Sequence, residues 1–260
     1  MKKNLYYQIM YRRGNFIKEF ILGLFMGISS WLRLLLEVFI RKNMGERYFS
    51  FSSSIIVAVL LALLPFQIAE VHRFFSGDFS FWQVIGRNIL WYLYLIAFLY
   101  HADLRRREVK RLPSVFDFAR FSLSTGNIHP QFYNFSIDGT TPSVRTIETL
   151  LEPAFFFIIG LLLAIIGQSL GILLIVCSII YSLSYVAAYH LGDNFVMDTI
   201  DEMICNEELV AAFVEGRDPS QTRGFNPYGR KPSDPEMRRR VVDDMMGGEN
   251  TQDIDFEEVK

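Results

Sequence analysis

Four apolar runs in this chain are long enough to cross a bilayer, which takes about 20 residues. They cover 49–69, 82–101, 150–167 and 170–190. Only Gln168 and Ser169 separate the last two, so the spacing predicts a tight antiparallel hairpin. The first two form a second hairpin across a twelve-residue connection, 70–81. A fifth run, 16–40, is also long enough but carries Lys18, Glu19, Arg33 and Glu37.

Charge decides how many runs cross, because Lys and Arg flanking a span stay on the cytoplasmic side. With four spans, segments 1–48, 102–149 and 191–260 lie inside and hold 23 Lys and Arg, leaving aside Arg33 of the fifth run. The outside connections then hold one, Arg73. A fifth crossing would carry the basic middle loop and the tail outside. The sequence therefore predicts an all-α polytopic membrane protein. Its four transmembrane helices form two antiparallel hairpins, joined by an N-terminal interfacial helix and a cytoplasmic amphipathic helix.

The expected boundaries are a cytoplasmic N-terminus with the interfacial helix (1–48), hairpin one (49–101), a basic loop (102–149), hairpin two (150–190), an acidic amphipathic helix (191–216) and a disordered tail (217–260). In run 16–40, Arg33 and Glu37 are four apart and pair on one helix face. The favoured reading lays that face in water as an interfacial anchor. A re-entrant element or a protein-contact helix using Gly23 and Gly27 is the rival.

Composition agrees with a membrane protein. Of 260 residues, 51% are hydrophobic and 24 are Phe, more aromatic mass than soluble domains carry. Net charge is −2 and names no partner. Cys177 and Cys205 lie in unlike surroundings and make no disulfide framework. The basic start, MKKNLYYQIMYRRGNF, leads into no cleavable leader pattern.

Polar residues are few inside the runs. Arg87 is expected to pair with Glu70 at the outer end of hairpin one or to snorkel. Pro65 predicts a kink. Glu152 and Pro153 open the third span at the depth of His190, so Glu152 and His190 are expected to be neighbours. Gly160, Ala164, Gly167 and Gly171 supply a small-residue helix-packing face. Arg105, Arg106, Arg107, Lys110 and Arg111 form a juxtamembrane cluster suited to anionic lipid headgroups. Asp138–Gly139 is a turn signal for a short hairpin.

After Gly192 the pattern turns amphipathic, with Asp193 or Asn194 as the expected N-cap. Asn194, Asp198 and Glu202 line one stripe that could hold a divalent metal. No second acidic motif faces it, and a solvated helix face explains it more simply. A short helix is expected near 234–246 in the tail.

No phosphate-binding loop, metalloprotease histidine pair or nucleophile elbow is present in the sequence, and no cofactor is expected. The reading that follows is a non-catalytic membrane subunit. It is a scaffold or assembly component of a larger complex, for instance a bacterial secretion or DNA-transfer apparatus in the inner membrane, with both termini cytoplasmic. Expected partners are membrane lipids and other membrane or cytoplasmic subunits, with no direct nucleic-acid contact and a homo-oligomer as a further option. A small transporter or channel is the alternative, and a membrane lipid-modifying enzyme the third reading.

Overall fold

A computed structural model of the chain describes residues 4–11, 16–76, 81–109, 121–135 and 141–246. Asp138, Gly139, Lys110 and Arg111 lie outside them. Among the described residues every regular element is helical, and one isolated antiparallel bridge joins Lys42 to Asn127. Four helical stretches are long and apolar enough to cross a membrane: Ile17–Ile40, Phe51–Glu70, Val144–Ile165 and Ser169–Val214. They include the run expected to lie in the interface and omit the second expected span.

The helices form two compact units, Phe20–Tyr189 and a second made of both chain ends, Met1–Glu19 with His190–Lys260. In the first unit, α2 (Phe16–Ile40) leads through a short connection to α3 (Phe51–Ser76), whose start is capped by Ser50 through the Ser53 amide. The second expected span is interrupted. Helix α4 (Phe81–Arg87) stops at Asn88, whose side-chain amide donates to the Val84 carbonyl (3.0 Å), and α5 (Ile89–Val109) begins after it. The same carbonyl also accepts the Asn88 backbone N–H (3.2 Å), so side chain and backbone share it at the break.

Helices α3 and α5 meet in opposite directions. Arg106 lies over the Phe51 ring, Trp91 bonds the Leu61 carbonyl and Phe66 stacks on Phe81. The Trp91 bond has a specific cause. Pro65 lacks the N–H that Leu61's carbonyl would accept four residues on, and the Trp91 indole N–H (2.9 Å) takes its place.

After the short helices α6 (Pro130–Tyr133) and α7 (Val144–Thr146), one π-helical turn, Ile147–Leu151, leads into α8 (Glu152–Ile165). Gly167 (φ +82°) ends α8 in a Schellman arrangement. Its N–H donates to Ala164 O, and the Gln168 N–H donates to Leu163 O. Helix α9 (Ser169–Leu209) then packs on α8 through small residues. A Cβ on Gly171 would fall 2.3 Å from Ala164 N, and one on Gly160 2.9 Å from Gly171 O. Gly160, Ala164 and Gly171 thus form a close contact, while Gly167 serves the turn.

In the other unit, α1 (Leu5–Met10) is capped by Asn4, which accepts the Tyr7 N–H. Asn4 also donates its own N–H to Glu202 (2.9 Å) and its amide to Asn206 (2.6 Å). Tyr6, Tyr7, Cys205, Leu209, Phe213 and Val242 make the core of this unit. Two sequence expectations change here. Helix α9 runs unbroken through 190–194, so neither Asp193 nor Asn194 caps a new helix. A single Gly costs a helix about 1 kcal/mol and does not break it. Residues 217–233, expected to be disordered, are folded, and α10 (Pro235–Met245) lies where the short helix near 234–246 was expected. Asp234 caps α10, Val242 is buried, and Lys231 donates to the Ala212 carbonyl.

Candidate functional site

The Arg33–Glu37 pair of α2 does not face water, although Lys18 and Glu19 near its start do. Arg33 and Glu37 are 6% and 0% exposed, whereas Phe20, Ile21, Leu24, Ile28 and Trp31 on the other face are open. This overturns the picture of a helix resting with its charged face in solvent. The cause is a set of partners that local spacing does not show.

Arg33 pairs with Glu37 (2.9 Å), donates to Ser184 Oγ (2.9 Å) and to Tyr48 OH (3.1 Å), and lies over the Tyr185 ring. Glu37 also accepts from Tyr48 OH (2.5 Å) and Tyr185 OH (2.9 Å). Burial, and then the Glu37 carboxylate beside it, push the Tyr48 phenol well above its ordinary range, so it stays a donor. One turn further on, Arg41 is fully buried. It forks onto Glu152, pairs with Glu148 (3.2 Å), and donates to Tyr185 OH (2.6 Å) and Thr125 Oγ1 (2.8 Å). Tyr181 OH donates to Glu152 (2.5 Å) and Tyr189 OH to Glu148 (2.6 Å).

Helix geometry sets these positions. The π-helical turn 147–151 precedes Glu152 and presents Glu148 and Glu152 to the same guanidinium. Pro153 leaves the Thr149 carbonyl without its N–H partner four residues on, and Ser182 Oγ donates to that carbonyl (2.6 Å). Ser178 Oγ donates to Pro153 O (2.5 Å). Tyr181 and Tyr185 recur at helical spacing on one face of α9. The result ties α2, α8 and α9 together at one end. Such a set is costly to desolvate, and removing one member of a buried pair costs about 3–5 kcal/mol. Chemically it holds charges in fixed places.

The other expected site residues are placed as follows. Glu152 is occupied by Arg41 and Tyr181, while His190 contacts Asn194 (3.1 Å). Gly23 and Gly27 have open space where a Cβ would stand. Arg105 turns inward onto Glu108 (2.6 Å), Arg107 pairs with Asp103, and Arg106 covers Phe51. Glu70 and Arg87 are both exposed, and no ion pair joins them among the described residues. Of the acidic stripe, Glu202 accepts the Asn4 amide, and no group of three His, Cys, Asp or Glu side chains gathers for a metal among the described residues.

Sequence reasoning missed Arg41, Glu148, Tyr181, Tyr185 and Tyr189. The available signal was the tyrosine spacing on α9 facing a chain with three acids and two arginines near span ends. No family model matches this chain, and no curated protein or solved structure matches it either.

Proposed function

We propose that this chain is a non-catalytic integral membrane subunit that scaffolds a larger membrane complex. One observation carries the reading. The buried charges of its membrane part are spent on one another, while among the described residues the outer apolar face of α2 around Leu24 and Ile28 is exposed and Gly23 and Gly27 have open space beside them. Small residues on such a face let a partner helix approach closely. A bacterial inner membrane and a secretion or DNA-transfer apparatus are the setting we favour, with other membrane subunits as partners.

In the topology that supports this reading, α3 with α4–α5 and α8 with α9 are two transmembrane hairpins, and α2 does not cross. Both chain ends belong to one compact unit, which favours an even number of crossings. The opposed contacts of α3 with α4 and α5 support putting these helices at the same depth. Ser29 and Glu37 are about 12 Å apart along α2, yet meet the adjacent residues Ser184 and Tyr185. That favours α2 running steeply across the middle of α9. The 23 basic residues then put both termini in the cytoplasm.

The test is purification of the full chain in mild detergent, followed by the mass of the intact assembly. Wild type is expected with other membrane subunits, and Gly23→Leu/Gly27→Leu is expected to lose them while remaining folded. A chain that purifies alone and supports saturable solute flux in liposomes contradicts the reading.

A further inference from the structure

At the end of the α3–α5 pair away from the buried network, a cavity of about 640 Å³ opens between α3, α4–α5 and the first turns of α9. That is within the size range of ligand pockets. Its walls are mostly apolar, among them Ile68, Trp91, Ile172 and Val176. Its polar groups gather where α4 gives way to α5: Gln83, Arg87, Asn88 and Ser169. Ser169 Oγ donates to Asn88 Oδ1 (2.7 Å), fixing the start of α9 against the break between α4 and α5. The cavity is built rather than incidental. Pro65 lies in its wall, and Trp91, tied to the Leu61 carbonyl that Pro65 leaves free, is held there by that bond.

Among the described residues, Arg87 is the one charged group lining the cavity. Unlike Arg33 and Arg41, its guanidinium is exposed and has neither an ion pair nor a hydrogen bond among the described residues. The start of the 41-residue helix α9, the positive end of its dipole, borders the same cavity. An apolar chamber beside an unspent cation, walled in part by α3 and α9, two helices apolar enough to cross a membrane, matches a molecule with a hydrocarbon chain and an anionic head.

We propose that this cavity binds one anionic phospholipid, with an acyl chain among the apolar walls and the phosphate at Arg87. The basic cluster Arg105–Arg107 is a different place and is not required. A neutral lipid would satisfy the walls and leave Arg87 unpaired. A free inorganic phosphate would satisfy Arg87 and leave the walls empty.

Native mass spectrometry of the full chain, loaded with equal phosphatidylglycerol and phosphatidylcholine of matched chains, tests this. Wild type is expected to retain one phosphatidylglycerol, preferred about tenfold over phosphatidylcholine. Arg87→Gln should remove that preference while the protein elutes unchanged. Ala69→Phe, which fills the cavity, should lose both lipids. Arg106→Gln/Arg107→Gln should leave retention as in wild type. Equal retention of the two lipids by wild type, no retained lipid, retained phosphate without lipid, or undiminished preference in Arg87→Gln would each overturn the proposal.

Discussion

Helix α3 and helix α8 each carry a proline, and the two are repaired in the same way but completed differently. Pro65 frees the Leu61 carbonyl, which Trp91 takes, and Pro153 frees that of Thr149, which Ser182 takes. Around Pro153 the space is then closed by Arg41, Glu148, Glu152 and Tyr181. Around Pro65 it stays open, and Arg87 stands at the edge without a partner among the described residues. Along α9 the two regions, at Ile172 and Tyr185, are about 20 Å apart. A freed carbonyl is thus a local problem with a local cure. Whether the site becomes a lock or a chamber depends on the charges around it.

Breaking the lock should have the largest effect. Arg41→Met leaves Glu148 and Glu152 buried without their cation, and about 3–5 kcal/mol of stability should be lost in denaturant unfolding. Arg87→Met, at the open end, should change stability by less than about 0.5 kcal/mol.

The legibility of the two regions differs in the same sense. The Arg33–Glu37 pair was readable because it is a local helix relation. Its burial was not, since the partners Ser184 and Tyr185 lie some 150 residues on, a pairing no local period encodes. Arg41, just past the apolar run, enters the sequence reading only within the count of 23 basic residues, because no local spacing links it to Glu148 and Glu152. The four long apolar helices were legible, but their membership changed. The second run is interrupted at Asn88, whose side chain shares the Val84 carbonyl with its own backbone N–H, a local detail that hydropathy does not register. Small-residue spacing marks Gly160, Ala164 and Gly171, which approach one another closely, and does not separate them from Gly23 and Gly27, where a Cβ meets nothing within 4 Å.

That last contrast is sharpened by alanine. Gly171→Ala places a methyl against the Ala164 backbone and should cost about 1–3 kcal/mol. Gly27→Ala meets nothing and should be neutral or stabilise by up to about 1 kcal/mol through helix propensity. Unfolding of both variants in one detergent is the measurement.

The two proline repairs should be of similar size. Trp91→Phe and Ser182→Ala each leave one carbonyl without its donor, at a cost of about 1–2 kcal/mol. If only Ser182→Ala destabilises, water from the open cavity is replacing the indole at Leu61.

The smallest effect belongs to the unit made by the chain ends. Burial, then the carboxylates of Asp198, Asp201 and Glu202, push the Tyr7 phenol up from 10.0 to about 12. The folded state favours the neutral phenol. Its contribution is therefore complete below pH 10 and is lost as pH rises toward about 12. Ultraviolet titration of tyrosinate should show one late-ionising phenol fewer in Tyr7→Phe than in wild type, with Tyr48 among those that stay late.

The most direct test of the closed network is a double-mutant cycle on Arg41 and Glu152. If the pair is a structural lock, Arg41→Met and Glu152→Leu should each be severely destabilising. The double variant should recover at least about 2 kcal/mol relative to their sum, because no unmatched charge between the two remains buried. Strictly additive losses would contradict the account.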